Sequence, residues 1–142
     1  MEKRFFFAGF FLVGLIVLGG CSRNVKVTGK VTFEGTGEPL TLGRVCFQTD
    51  TMFADGPLQP DGTYTLGSLG ENTGLPKGTY QVFISGATTP PQLGMGTGQG
   101  GLLGSYAPGT ALIHSKFTDR MTSGLTCNVN GRTVFDITVT PP

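Results

Sequence analysis

Three thiols, one imidazole and nine carboxylates are the groups with most chemistry to offer in this chain, and their spacing limits what they can do. His114 is the only histidine, so a cluster of imidazoles for zinc is impossible, and a mixed site would have to recruit Cys46 and Cys127. Those two are out of phase with each other. Cys127 shares the alternation of Leu125 and Val129, whereas Cys46 alternates against Val45 and Phe47, so one points into a sheet's packed face and the other out. The same opposition argues against a disulfide, which needs a short Cβ separation. Ser105, Ser115 and Asp119 stand near His114 and complete the list of parts for a hydrolase. A nucleophile nevertheless needs its base and an orienting group fixed in space, and closeness along a loop supplies neither. The expectation is a surface His114 and no catalytic residue. Asp50, Asp55, Asp61 and Glu71 are dispersed without the alternating oxygen ligands of a calcium loop, and read as turn residues. Gly96, Gly98 and Gly101 spell G-x-G-x-x-G, but no strand leads into it and no helix follows to receive a pyrophosphate. No metal and no cofactor are expected.

Cys21 has different company. Lys3 and Arg4 precede an apolar run from Phe5 to Val17, and Leu18-Gly19-Gly20 lead directly into the thiol. A basic start, a short apolar stretch and small residues at the end are the parts of a secretory signal. From Phe5 to Gly20 the run has 16 residues, short of the roughly 20 that a membrane-spanning helix requires. With Cys21 in place the segment resembles the lipobox of bacterial lipoproteins. That resemblance implies cleavage before Cys21 and a lipid-bearing Cys21 as the first residue, with a diacylglycerol in thioether linkage, and two or more acyl chains anchor stably where one is marginal. The expected organisation is a signal-peptide helix over 1–20, a tether over 21–24 and a single domain over 25–142. The partner so implied is a membrane, reached through acylated Cys21, and the location is the bacterial cell envelope. Ser22 stands where some lipoproteins carry the Asp that keeps them at the inner membrane, which points to the outer one. Ser22 to Asn24 span only about 10 Å at full extension, so the domain is expected to sit close to the bilayer.

Residues 1–20 hold Lys3, Arg4 and Glu2, so removing them takes ten basic and nine acidic residues to eight of each and leaves 122 of 142 residues. That length suits one domain with one core. A balanced chain without basic runs lacks the footprint of phosphate neutralisation, so nucleic acid is not an expected partner. With 24 Gly and 13% charged residues, the composition favours strands and turns over helices.

The elements that would position these groups follow from alternation. Val25, Val27, Gly29, Val31 and Phe33 share one face of a half-buried strand, with Lys26, Thr28, Lys30 and Thr32 on the other. Glu34 to Pro39 form a turn, and Val45 and Phe47 mark a second strand. Asp61-Gly62 is a hairpin signal with a strand on either side. Tyr80, Val82 and Ile84 face inward, with Thr79, Gln81 and Phe83 outward. Asn130-Gly131 between Leu125–Val129 and Phe135–Val139 reads as a closing hairpin. Such spacing predicts an all-β sandwich of about seven strands. Residues 86–111, with eight Gly and three Pro, break the rhythm and read as a long mobile loop, an insertion without a task rather than a contact surface built from Leu93, Met95, Leu102, Leu103 and Tyr106.

The order of these pieces resembles the carboxypeptidase regulatory-like, transthyretin-type (prealbumin-like) domains found in small bacterial lipoproteins. The residues that carry it are Val27-Thr28-Gly29-Lys30-Val31-Thr32-Phe33, Pro39-Leu40, Val45-Cys46-Phe47, Pro60-Asp61-Gly62-Thr63-Tyr64-Thr65-Leu66, Gly74-Leu75-Pro76-Lys77-Gly78-Thr79-Tyr80-Gln81-Val82, and Leu112–Phe117 with Thr122–Leu125. The resemblance implies a seven-strand Greek-key β-sandwich without catalytic apparatus. The chain departs from the pattern in its Gly-rich insertion and in carrying His114 where Pro is more usual. The catalytic transthyretin-like branch, which hydrolyses 5-hydroxyisourate, needs several histidines and a C-terminal Tyr-Arg-Gly-Ser; this chain ends Thr140-Pro141-Pro142. The function expected is therefore a non-catalytic, lipid-anchored envelope module with a structural or partner-binding role. The alternative is a carbohydrate- or small-ligand-binding lipoprotein that stacks its ligand on Phe83 or Tyr106, although Trp is absent and Tyr numbers three.

Overall fold

The computed structural model describes residues 23–67, 73–93 and 106–142. The expected signal helix over 1–20 and Cys21 itself lie outside the described residues, as do Glu71, Ser105 and the glycines of the G-x-G-x-x-G run.

The described chain is all-β, with one 3-10 turn at Ser115–Thr118. The first strand, β1 (Val27–Phe33), is built as its alternation predicts: Val27 and Val31 are fully buried and Lys30 is exposed. It pairs antiparallel with β4 (Thr63–Thr65) and parallel with β9 (Thr133–Val134) and β10 (Ile137–Val139). Val27 stands opposite Thr133 and Val31 opposite Ile137. That constant register makes β9 and β10 two segments of a single strand. The second sheet runs in the order β3 (Phe53–Pro57), β2 (Arg44–Gln48), β5 (Gly78–Ser85), β8 (Leu125–Val129), antiparallel throughout. Counting β9 and β10 together, three strands face four, which is the number that the alternation implies.

The two sheets close over one core. Val27, Val31, Tyr64, Leu66, Ile137 and Val139 from the first meet Val45, Phe47, Tyr80, Val82, Ile84 and Val129 from the second, all within 2% of complete burial. Phe47 is the hub: its ring lies 6.5 Å from Tyr64, 6.0 Å from Tyr80 and 5.9 Å from Phe135, edge-on to the last. Such tilted pairs add stability beyond the area they bury.

Three expectations need correction. Asp61-Gly62 does turn the chain, with Gly62 at φ 79°, but the flanking strands β3 and β4 enter different sheets, joined only by an isolated bridge between Asp55 and Gly67. Asn130-Gly131 likewise carries the chain from β8 in one sheet to β9 in the other. Gly131 does not take a positive φ, so the type I′ turn that closes a paired hairpin is not formed. In both cases the turn signal is local, whereas sheet membership is decided by which apolar faces must meet across the core. The third correction concerns residues 86–111. Their two ends pair: Thr88 bridges Ala111, Thr89 N–H donates to Thr110 O at 2.9 Å, and β6 (Gln92–Leu93) runs antiparallel to β7 (Tyr106–Ala107). What reads as a loop by composition has a two-stranded stem, because backbone pairing asks little of side chains and Thr88, Thr89 and Thr110 suit a strand.

Candidate functional site

The first sheet's ladder is interrupted between β9 and β10, and a groove of about 340 Å³ opens there on its outer face. At the break, side chains take over backbone bonding. Lys30 N–H donates to Asp136 Oδ1 at 2.9 Å, and the Tyr64 hydroxyl donates to Phe135 O from the core side. Gly29 is obligatory at this point: a Cβ there would lie 1.9 Å from Phe135 O and 2.7 Å from the Tyr64 oxygen. Burial pushes the Tyr64 phenol far up, away from ionisation, so it stays a hydrogen-bond donor at any physiological pH. Thr28, Thr63 and Thr65 line the groove together with Lys30, Asp136 and the exposed Val134. Asp61, on the adjoining turn, accepts from Thr63 Oγ1 at 2.6 Å and Thr63 N–H at 3.0 Å. The Thr63 hydroxyl, the Thr63 amide and, more weakly, the Lys30 charge hold its carboxyl below the ordinary aspartate value. The groove thus offers one ammonium, one carboxylate and three hydroxyls to a small polar solute.

The residues singled out for hydrolytic chemistry do not converge. His114 is exposed and its Nδ1 accepts from Lys116 N–H at 3.2 Å, capping the 3-10 turn. Asp119 Oδ1 accepts from Met121 N–H at 2.6 Å. Ser115 is exposed and its carbonyl takes the Thr118 hydroxyl. The His114 and Asp119 side chains are thus engaged by neighbouring backbone N–H groups, which is turn chemistry.

The two described cysteines are free thiols. Cys127 packs in the core as its phase predicts. Cys46 does lie on the opposite face of its sheet, yet it is 2% exposed rather than turned to solvent. Its row on the sheet explains this: Asp55 and Phe83 flank it on the neighbouring strands, the Arg44–Asp55 ion pair lies beside it, and Ser85 Oγ stands 3.4 Å from its sulfur. Alternation assigns a face but not what covers it. Burial raises both thiol pKa values, so neither is a ready thiolate.

Phe83, the proposed stacking platform, is half-buried on that same outer face, with the more exposed Phe53, at 48%, on the edge strand two strands away. The side chain of Tyr106 and the apolar residues of segment 94–105 fall outside the described residues. Among the described residues no three His, Cys, Asp or Glu side chains gather as metal ligands. A smaller cleft of about 250 Å³ lies at one end of the sandwich, between Phe33, Leu112 and Pro141. The groove at the broken ladder is the feature that sequence reasoning missed. Its one visible signal is Gly29, standing among residues that otherwise favour strands.

No protein-family model matches the chain, and no curated protein is similar to it. Among solved structures it is similar to a DUF3823 family protein from Bacteroides ovatus, at 19% identity and a TM-score of 0.46 over 83% of this chain and 45% of that one. A DUF3823 family protein from Bacteroides uniformis matches at 19% identity and a TM-score of 0.44, over 83% of this chain and 43% of that one. The chain spans less than half the length of either.

Proposed function

We propose that this protein is a non-catalytic β-sandwich module of the bacterial cell envelope, held to a membrane by acylated Cys21 and serving a structural or partner-binding role there. The observation that carries the reading is where ordered pairing starts. Val25 N–H donates to Leu75 O at 2.7 Å and Leu75 N–H returns to Val25 O at 3.0 Å, with β1 following from Val27. Three residues therefore separate Cys21 from a bonded position, a reach of about 10 Å. A domain so closely leashed works beside the bilayer rather than at a distance. The order of its motifs supports a carboxypeptidase regulatory-like, transthyretin-type assignment for the sandwich. The engagement of His114, Asp119 and Asp61 by neighbouring N–H and O–H groups supports a scaffold rather than an enzyme.

Replacing Cys21 tests the reading. Cys21→Ser is expected to abolish incorporation of labelled fatty acid into the protein; labelling of the variant at the parent level overturns the anchor. A second reading, binding of a sugar or other small polar ligand, is favoured by the hydroxyl-lined groove beside Lys30 and Asp136. Shifts of the Thr63 and Thr65 amide resonances on adding envelope oligosaccharides would support it.

A further inference from the structure

Three chain segments converge at the end of the sandwich from which the amino-terminal tether leaves. Residues 23–26 enter β1; Pro76 and Lys77 lead into β5; Asn130 to Arg132 join β8 to β9. Their mutual placement is set by backbone bonds: Val25 with Leu75, Gly78 opposite Val129, and Thr133 N–H to Lys26 O at 3.0 Å. Each segment brings exposed cations, and together these are Arg23, Lys26, Lys77 and Arg132. Among the described residues, these three segments carry no acid of their own. Glu34 and Glu38 occupy the β1–β2 turn at the opposite end, Asp55 pairs with Arg44, and Asp50, on the β2–β3 turn near the basic end, lies 3.7 Å from Arg120. The described residues thus place a basic pole where the tether emerges.

We propose that this basic pole docks on anionic phospholipid headgroups, setting the long axis of the sandwich away from the bilayer and presenting the acidic β1–β2 turn and the 86–111 ribbon to the aqueous side. The inference rests on the anchored reading above and deepens it. The tether holds the pole within about 10 Å of the surface, comparable to the Debye length of about 10 Å at 0.1 M salt, so the attraction acts before salt screens it. Juxtamembrane Lys and Arg at that distance are drawn to an anionic surface. A lipid anchor alone leaves orientation free; four cations around its exit do not.

The test uses the full lipidated chain reconstituted into vesicles of phosphatidylcholine alone, or of phosphatidylcholine with one part in three phosphatidylglycerol. A water-soluble amine-acylating reagent is applied, and modification of Lys26 and Lys77 is read by mass spectrometry relative to Lys116, on the 3-10 turn that His114 N–H ties to Thr140 O beyond the far end of β10. On the anionic vesicles the two lysines are expected to lose about fivefold in relative reactivity, to regain it at 0.5 M salt, and to lose little in the double variant Arg23→Glu, Arg132→Glu. Equal reactivity on both vesicle types, with the protein floating on both, overturns the docking and leaves the anchor standing. Failure to float with phosphatidylcholine vesicles removes the anchor and the docking with it.

Discussion

Gly29 shows how a single residue can decide a local architecture here. The Phe135 carbonyl comes so close to its Cα that no side chain fits, and both atoms that a Cβ would meet first, the carbonyl oxygen and the Tyr64 hydroxyl, belong to one hydrogen bond. Gly29→Ala must therefore push β1 from the last strand or break that bond. It is expected to cost about 3 kcal/mol or more in urea unfolding, the scale of overpacking joined to a lost buried bond. Asp61 supplies a gentler test with a defined sign. Its carboxyl is held below the ordinary value by Thr63, so its ionised form favours the folded state above about pH 3.9. That contribution fades as pH falls through the lower folded value. Asp61→Asn is expected to lower stability slightly at neutral pH and to converge with the parent near pH 2, flattening the acid limb of a urea-unfolding stability profile between pH 5 and 2. Cys46 marks the boundary of what alternation can say: its face was legible from Val45 and Phe47, whereas its burial depends on Asp55, Phe83 and Ser85 arriving from strands 9 to 39 residues away.

Strands with regular alternation were readable from the residues alone, and those with mixed or short patterns were not. The segments Val27–Phe33, Gly78–Ser85 and Leu125–Val129 bury the residues their phase predicts, except that Phe33 and Leu125 at their ends are half-buried. Turn positions at Asp61-Gly62 and Asn130-Gly131 were equally plain, but the destination of the strand that follows depends on the far side of the core and leaves no local trace. The parallel pairing of β1 with β9 and β10 belongs to this class, since it joins residues 106 apart in register. The ribbon was obscured because Gly-rich composition hides a pairing carried by backbone atoms. Its roots are close: Leu112 N–H donates to Ala87 O at 2.9 Å, with Ala87 and Ile113 both in the core. Excision of residues 88–111 with a short Gly-Asn link is expected to shift the melting temperature by no more than about 5 °C, because loop length itself costs little. Loss of cooperative melting would show instead that the ribbon is part of the sandwich's stability.

At the scale of the molecule, the sealed core and the basic pole describe a body with two unlike ends, of which the proposed docking would turn the basic one to a surface. Among the described residues no helix is long and apolar enough to cross a membrane, and no buried side-chain nitrogen or oxygen lacks a partner. The candidate groove was less legible than the fold, since it exists only where Gly29, Tyr64 and Asp136 meet from three separated strands. Anchoring at Cys21 is the premise on which the surface-facing pole acquires meaning, and one mass measurement reaches it directly. Protein extracted from the membranes of cells that express the full chain is digested, and its amino-terminal peptide is weighed. The account predicts a peptide beginning at Cys21 with a diacylglyceryl thioether on its sulfur. A peptide that still carries residues before Cys21, or one that shows a free thiol there, would contradict it.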